Sequence, residues 1–327
     1  MHGVPGFEAS EDAEDFDFEH LTEDEALEIS DVWFNVAADA AERLDTERDD
    51  SFRLQTRHGD RVLKVAHPAD TSAFIDRQLR AVEHARRADR SLPLQRIITT
   101  PGGGLWLDLP SGRVARMLDW IPGDLLLDVP TGAAELAALG DALGRLSTAL
   151  RTFVDDGGAR PSAWDLQTVP RLATLLAAYP NDTVREAITR YNQRVVPRIG
   201  ELPLQVIHND FNPGNVLVDA GDPRFVVGIL DFGDVVRSFR VADLAVALSY
   251  QLYPLRHNWL GVAPMVDAFD RQVRLTEAER SVLADLVAAR FAQRILINSW
   301  AAQGENDTYD EYDTIVATLA ALLNLET

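Results

Sequence analysis

A stretch of the chain near residue 210 contains the residue types that phosphoryl transfer requires. Asp210 follows His208 by two positions and precedes Asn215 by five, and Asp231 begins an Asp-Phe-Gly sequence further along. A carboxylate can accept the proton of an attacking hydroxyl, while an amide oxygen and a second carboxylate can hold the metal ion that bridges phosphates. Oxygen ligands of this kind suit Mg2+ rather than a transition metal.

These residues fall on a segment whose pattern predicts a β-hairpin. Between Val206 and Phe232, two apolar runs flank a turn rich in Asp, Gly and Pro. Folding the segment about its central turn places Asn215 beside Asp231 at one edge, with Asp210 on the loop that precedes it. The spacing His-x-Asp-x-x-x-x-Asn, followed by Asp-Phe-Gly, matches the catalytic and metal loops of kinases. The alternative is that Asp210 and Asn215 are ordinary turn residues.

Two interpretations are open for His208. It can act as a second catalytic group beside Asp210, or its ring can support the backbone around the metal-binding aspartate. The supporting role is the favoured one for a histidine in this loop, and Phe232 is expected to pack in the core.

The nucleotide end of the site is predicted from Lys64, which is the only lysine in the chain. It lies in an alternating strand, Val-Leu-Lys-Val, from which a lysine can reach the α- and β-phosphates of a nucleotide. The preceding turn, Asp49 to Phe52 and including Ser51, is expected to cover the phosphates, although it lacks the glycines of a phosphate loop. A linker just before Pro122-Gly123 is expected to meet the purine through its backbone: Leu118, Asp119 and Trp120.

The surrounding pattern predicts an α+β fold with two lobes. Residues 1–118 contain a capping box at Thr22, a hairpin around Lys64, a helix to about Ala88 and further strand-like pieces, so they are expected to form a small β-rich lobe that binds nucleotide. Residues 1–20 are expected to be loose. Residues 119–327 are expected to form a larger helical lobe that carries the catalytic and substrate-binding residues. The helices predicted there run through residues 136–150, 170–199, 276–302 and 310–323.

The composition limits the partners of the chain. A net charge of -21 repels nucleic acid and anionic membranes and favours cationic small molecules, although it also fits plain solubility or adaptation to high salt. There is no cysteine, which excludes disulfides and thiolate chemistry. The acidic N-terminus does not resemble a signal peptide, and no apolar run has membrane-spanning length. A cytoplasmic location is therefore expected.

Taken together, the motifs resemble those of the aminoglycoside phosphotransferase superfamily, which includes choline and homoserine kinases. Glu-Arg-Asp-Asp-Ser-Phe before Lys64, and Asp-Phe-Gly-Asp-Val-Val-Arg-Ser from Asp231, are similar to the hydroxylysine kinase-like branch. The resemblance implies a two-lobed protein-kinase-like fold. It also implies transfer of the γ-phosphate of ATP or GTP, with Mg2+, to a hydroxyl of an amine-bearing small molecule. By motif matching, Asp210 becomes the base, Asn215 and Asp231 the metal ligands, and Lys64 the phosphate clamp.

The sequence departs from this pattern at the partner of the lysine. Kinases pair the clamp lysine with a glutamate on the following helix. The best-placed residue here is Gln78, whose amide can donate or accept a hydrogen bond but leaves the lysine charge uncompensated. Asp243, by contrast, is expected to brace the catalytic loop.

The acceptor is an amino alcohol or amino acid on this interpretation, with 5-hydroxylysine as the leading candidate. Asp234 can receive a substrate ammonium group, and several arginines can bind a carboxylate bidentately, although they can equally form ordinary salt bridges. An aminoglycoside, choline or homoserine kinase is an alternative, and a pseudokinase or nucleotide-sensing module is a non-enzymatic one. The candidate arginines are Arg237, Arg240, Arg290 and Arg294.

Overall fold

The N-terminal part of the chain forms a six-stranded antiparallel sheet. The computed structural model describes residues 18–46, 48–155, 162–252, 258–302 and 312–324. The strands lie in the order β1-β2-β3-β6-β4, and β5 pairs with β6. Their bounds are β1 Ala40–Leu44, β2 Asp50–Gln55, β3 Arg61–Val65, β4 Ile97–Ile98, β5 Leu107–Asp108 and β6 Val114–Asp119. The predicted hairpin around Lys64 is therefore β2–β3, and β1 is a strand that the sequence pattern did not reveal.

Alternation along the strands gives the sheet two different faces. One face carries Phe52, which is paired with Leu63, and these residues pack with α1, Glu23–Phe34, in an apolar cluster. The other face carries Lys64 and turns toward α2, Ser72–Ala88. The helix α1 begins at the predicted capping box, in which the Thr22 hydroxyl accepts a hydrogen bond from the backbone N–H of Glu25.

Residues 18–20 are packed against the sheet, so the expectation of a loose segment is wrong for them. The Phe18 ring lies 4.7 Å from the Arg113 guanidinium and meets the His67 ring edge-on at 4.8 Å. The His20 ring is hydrogen-bonded to the buried Asp50 carboxylate. Residues 1–17, to which the same expectation applied, lie outside the described residues.

The chain leaves the large sheet at the end of β6 and enters a second sheet at β7, Asp124–Leu125. This sheet has the order β10-β9-β7, with β9 at Val216–Val218 and β10 at Val226–Ile229. A Cβ atom at Gly123 would lie 2.9 Å from the Val227 side chain and 3.1 Å from the Val218 carbonyl oxygen. The linker therefore needs glycine where it passes over the β9–β10 hairpin.

The predicted hairpin is confirmed in part. Strands β9 and β10 pair antiparallel, and Ile229 is opposite Val216, so Asn215 and Leu230 continue the pairing at the edge. The apolar run at Val206 does not belong to this hairpin. It forms β8, Leu204–Ile207, which pairs with β11, Val236–Phe239, as a separate two-stranded sheet. The loop that follows β8 carries Asp210, as predicted, and leads to Asn215, immediately before β9.

The rest of the described chain is mainly helical and packs around a large apolar core. The leucine repeat from Leu136 to Leu150 lies in one helix and is buried, as expected for core residues. The predicted helical region 170–199 is broken into two helices with 3-10 turns between them. Among the described residues, no helix is long and apolar enough to cross a membrane. The helices are α3 Ala133–Leu150, α4 Val169–Leu172, α5 Asp182–Arg194, α6 Arg240–Leu252, α7 Ala263–Val273, α8 Glu277–Ala301 and α9 Tyr312–Leu323.

Candidate active site

A cleft between the large sheet, α2 and the β9–β10 hairpin brings together residues that are distant in sequence. The Lys64 ammonium nitrogen lies 3.4 Å from Asp231 Oδ2, although 167 positions separate the two residues. Gln78 of α2 lines the same cleft, as the spacing predicted. The cleft is lined by Lys64, Gln78, Leu79, Val82, Gln95, Arg116, Leu118, Ile229, Asp231 and Phe232.

Asp231 is held in an unusual backbone conformation at the mouth of this cleft. Its φ is 51°, in the left-handed region that non-glycine residues seldom occupy. The backbone N–H of Gly233 donates to Asp231 Oδ1 over 2.9 Å, so the turn directs the carboxylate. The Lys64 ammonium holds the pKa of the Asp231 carboxyl well below its usual range. The carboxylate is therefore an anionic oxygen ligand available at neutral pH.

The Asp210 carboxylate is fixed by two amide groups of the same loop. Asp210 Oδ2 accepts hydrogen bonds from Asn215 Nδ2 at 2.6 Å and from Asn212 Nδ2 at 2.8 Å. Because the Asn215 nitrogen is used in this way, the Asn215 side-chain oxygen is the atom that remains for a cation. The loop thus presents an oriented carboxylate and an amide oxygen at one edge of the hairpin.

His208 and Asp243 form the scaffold beneath the loop. His208 is fully buried, its Nε2 contacts the Leu230 carbonyl oxygen at 2.9 Å, and its Nδ1 accepts a hydrogen bond from the backbone N–H of Asp210. The ring therefore carries its proton on Nε2 and connects the two loops of the site. The Asp243 carboxylate accepts hydrogen bonds from the backbone N–H groups of His208 and Asn209, and burial raises its pKa.

The middle position of the His-Asn-Asp motif has a backbone explanation. Asn209 has a φ of 68°, a conformation in which glycine is unstrained and asparagine is among the best tolerated of the other residues. The Asn209 side chain is fully buried, so this position does not present a side chain to the cleft.

Two buried arginines of α8 lie behind the Asp210 carboxylate. Arg290 Nη2 is 3.7 Å from Asp210 Oδ1, and the Arg290 guanidinium stacks on the Trp164 ring at 4.7 Å. Arg294, one helical turn further, stacks on the Tyr250 ring at 4.2 Å. The structure therefore brings one of the predicted carboxylate-binding arginines, Arg290, close to the candidate base, with Arg294 one helical turn away on α8.

The other candidate arginines and the acidic residue are placed differently. Arg240 forms a bidentate ion pair with the buried Glu279 carboxylate, which is a structural role. The Arg237 side chain is exposed on β11, and the described contacts do not join it to Asp210. Asp234 is partly exposed, three residues beyond Asp231.

The predicted phosphate cover requires correction. Ser51 and Phe52 do not form a turn but lie in β2. The Phe52 ring is fully buried on the face opposite Lys64, so it cannot contact a ligand in the cleft. Ser51 is paired with Lys64 and shares its face, and its hydroxyl is buried without a hydrogen-bond partner among the described residues. Of the predicted cover, Asp49 alone lies before β2, which begins at Asp50.

In the predicted purine-binding linker, too, backbone groups expected to meet the purine are already hydrogen-bonded within the protein. Leu118 lines the cleft but pairs within the sheet. The backbone N–H of Asp119 donates to the Arg96 carbonyl, and that of Trp120 donates to the Asp60 carbonyl. These two donors are therefore occupied, and a purine at this linker would need other backbone groups.

One residue of the cleft, Arg116, was not singled out from the sequence, and Asp49 of the predicted phosphate cover lies against it. Arg116, the neighbour of Lys64 across β3 and β6, lines the cleft, and its Nη2 lies 2.6 Å from Asp49 Oδ2. Asp49 Oδ2 is also 3.9 Å from the Lys64 ammonium. Only the strand register could have revealed this cluster, because arginine is the common basic residue everywhere else in the chain.

The donor set fits a hard divalent cation that is shared with a phosphate ligand. Asn215 and Asp231 supply one amide oxygen and one carboxylate, the oxygen ligands that Mg2+ prefers. Among the described residues, no group of three or more His, Cys, Asp and Glu side chains is placed to hold a metal ion. A site with so few protein ligands is typical of Mg2+ bound together with a nucleotide.

Comparison with known proteins agrees with this geometry. A family model described as "Phosphotransferase enzyme family" (APH) matches residues 40–263. The chain belongs to this phosphotransferase family. It is similar to the hydroxylysine kinase of Mus musculus, at 24% identity over 88% of this chain and 85% of the relative. It is also similar to that of Danio rerio, at 25% identity over 89% and 87%, and to the homoserine kinase of Zymomonas mobilis, at 26% identity over 58% and 59%.

Solved structures show the same fold. The amicoumacin kinase hAmiN, in complex with AMP-PNP, Ca2+ and Ami, superposes with a TM-score of 0.73 at 15% identity, covering 93% of this chain and 94% of that one. A microcompartment-associated aminopropanol kinase gives a TM-score of 0.67 at 16% identity, covering 92% and 95%. The predicted α+β, protein-kinase-like fold, the resemblance to the phosphotransferase family and the assignment as a phosphotransferase enzyme are therefore confirmed.

Proposed function

We propose that this phosphotransferase is a small-molecule kinase that transfers the γ-phosphate of ATP or GTP to the hydroxyl of an amino acid, with 5-hydroxylysine as the leading acceptor. The observation that carries the proposal is the Asp210 carboxylate, fixed by two amides and flanked by the buried Arg290. The hydroxylysine and homoserine kinases among the relatives support an amino-acid acceptor.

On this proposal Asp210 is the catalytic base. The acceptor hydroxyl oxygen forms a bond to the γ-phosphorus, the bond to the β,γ-bridging oxygen breaks, and the hydroxyl proton passes to the Asp210 carboxylate. The amides of Asn212 and Asn215 keep this carboxylate in one orientation, so the fold itself contributes the positioning. His208, buried behind the loop, supports the backbone and does not exchange a proton with substrate.

The donor side is built from Lys64, Asn215 and Asp231. Lys64 would bind the α- and β-phosphates, since it projects into the cleft from the sheet. Asn215 and Asp231 would hold Mg2+, which when bound neutralises charge on the transferring phosphates. Asp231 is anionic at neutral pH like other aspartates, and Lys64 lowers the pKa of its carboxyl further.

The acceptor side is assigned by charge. An amino acid carries a carboxylate, which a guanidinium binds bidentately. Arg290 lies beside the base, and Arg294 is one helical turn further along α8. Asp234 is the carboxylate proposed for the substrate ammonium group. An amino alcohol, choline or an aminoglycoside carries no carboxylate and would leave a cationic pair facing a cationic substrate.

A screen with matched acceptors tests the proposal. Purified protein with Mg2+ and either ATP or GTP would be assayed for nucleoside diphosphate release with 5-hydroxylysine and 1,5-diaminopentan-2-ol, and with homoserine and 3-aminopropan-1-ol. Within each pair the compounds differ only in the carboxylate. The proposal predicts release with the amino acids and much less with their decarboxylated partners. Equal release within both pairs, or release with choline or an aminoglycoside instead, would refute the amino-acid acceptor.

Two further expectations remain proposals. We place the boundary between the lobes at residues 118–119, beside the change of sheet between β6 and β7. We also retain a cytoplasmic location, based on the nucleotide donor and the absence of cysteine.

A further inference from the structure

Three charged side chains meet on the cleft face of the large sheet. Lys64 of β3 is paired with Arg116 of β6, and both project from the same face. Asp49, immediately before β2, places its carboxylate between them, with Oδ2 at 2.6 Å from Arg116 Nη2 and 3.9 Å from Lys64 Nζ. All three side chains are mostly buried, at 12% exposure for Asp49, 6% for Arg116 and 16% for Lys64. Ion pairs in such a setting are screened less than pairs on the surface.

This cluster bears on the missing glutamate of α2. Gln78 lines the cleft at the place where kinases present a carboxylate to the clamp lysine, and its amide carries no charge. Asp231 is the other carboxylate near Lys64, but under the proposed function its charge is engaged by the metal ion once the nucleotide binds. Among the described residues whose ion pairs with Lys64 are resolved, Asp49 is then the carboxylate that remains to balance the lysine.

We propose that Asp49, anchored by Arg116, positions the Lys64 ammonium for the nucleotide phosphates, the part that a helix glutamate plays in other kinases. Asp49 and Arg116 are positioning residues in this scheme, since they act through Lys64. The inference rests on the proposed function, because it assumes that Lys64 binds phosphates.

The opposite role is that Asp49 competes with the phosphates for Lys64. The contacts that hold Asp49 in place argue against such competition. The Arg116 guanidinium is buried and fixed to β6, and the Thr46 hydroxyl donates to the Asp49 backbone carbonyl over 2.7 Å. Arg116 thus holds the Asp49 carboxylate, and Thr46 holds the backbone of the same residue. The two roles predict opposite changes in nucleotide affinity when the charge of Asp49 is removed.

The test is calorimetric titration with AMP-PNP and Mg2+, which reads nucleotide binding without turnover. Four proteins are compared: wild type, Asp49→Asn, Asp49→Asn with Gln78→Glu, and Glu42→Gln as a control carboxylate exposed on β1. We expect Asp49→Asn to weaken binding by about five- to tenfold, the effect of losing a partly buried charged contact. Gln78→Glu, which supplies a carboxylate from α2, is expected to restore affinity to within about twofold of wild type. The control should bind as wild type does.

Arg116→Gln is the second variant, for use if Asp49→Asn does not fold. It is expected to weaken binding by a similar factor and to be rescued by the same Gln78→Glu change, because both single variants break one network. Tighter binding by Asp49→Asn would show competition and overturn the inference. Unchanged binding, or a loss that Gln78→Glu does not rescue, would overturn it as well. A wild-type protein that binds no nucleotide would instead refute the proposed function itself.

Discussion

Asn215 Nδ2 donates a hydrogen bond to Asp210 Oδ2 over 2.6 Å, so the proposed metal ligand and the proposed base form one unit. The same amide nitrogen also donates to the Asp210 backbone carbonyl, at 3.1 Å. Asn215 and Asp210 therefore fix each other's orientation. Metal binding and proton transfer share a single side chain in this arrangement, and a change at Asn215 should affect both.

Asn215→Ala and Asn212→Ala form a matched pair that separates these two effects. Both variants remove an amide that holds Asp210, but only Asn215 is proposed to bind the metal. We expect turnover to fall by about tenfold or more in each, since orientation of a catalytic group is lost. The Mg2+ concentration for half-maximal rate should rise in Asn215→Ala and stay unchanged in Asn212→Ala. An equal Mg2+ dependence in the two variants would contradict the metal assignment.

His208→Leu should reduce stability as well as turnover. The variant leaves the Leu230 carbonyl and the Asp210 N–H without their buried partner, which costs about 1–3 kcal/mol for each unsatisfied group. Urea denaturation measures the loss, with His58→Asn, in an exposed turn, as the control. If His208→Leu lost turnover with no change in unfolding free energy, the histidine would be a catalytic group rather than a support.

The buried Asp50 gives a pH-dependent prediction. Burial alone would raise its pKa, but hydrogen bonds from Arg43, Arg113 and His20 lower it to about 2, from an ordinary value of 3.8. Because the folded pKa is the lower one, the stabilisation is present above about pH 4 and is lost as pH falls toward 2. The pKa difference corresponds to about 2 kcal/mol.

Chemical denaturation of wild type and Asp50→Asn from pH 6 to pH 2 measures this contribution. We expect the stability advantage of wild type to shrink by about 2 kcal/mol over that interval. Glu42→Gln serves as the exposed control. An advantage that is constant with pH would show that the Asp50 carboxylate is not stabilised by its three hydrogen-bonding neighbours.

Arg290→Met tests the carboxylate side of the acceptor site. The variant retains an apolar side chain against Trp164 but removes the guanidinium, so KM for amino-acid acceptors should rise at least tenfold. The rate with a decarboxylated acceptor should change far less. Arg240→Met, which breaks the ion pair with Glu279, is the control and should lower stability without altering the preference between acceptors. If Arg290→Met impaired the reaction equally with both acceptors, Arg290 would act on the Asp210 base and not on the acceptor carboxylate.

The features of the fold that were predicted correctly are those that depend on residues close together in the sequence. The Thr22 capping box, the β2–β3 hairpin and the buried leucines of α3 each depend on residues within a few positions of one another. The Asp210 loop and Asp231 were predicted to meet because both are at the ends of one short hairpin.

The remaining features depend on pairing between distant segments. The partner of β8 is β11, which is a few residues long and carries no strong pattern of its own. Phe52 was assigned to the phosphate cover because its segment was predicted to be a turn, whereas pairing with Leu63 of β3 makes it part of β2. Asp49 and Arg116 are 67 positions apart, and only the register of the sheet brings them together.

The most direct test of the central claim is a comparison of wild type with Asp210→Ala, in two measurements on the same preparations. One is acceptor-dependent release of nucleoside diphosphate, and the other is binding of AMP-PNP with Mg2+. Loss of release by a factor of at least about 100, with nucleotide affinity kept within a few-fold, is the predicted result for a general base. Wild-type turnover in Asp210→Ala would contradict the assignment of the catalytic loop and, with it, the proposed function.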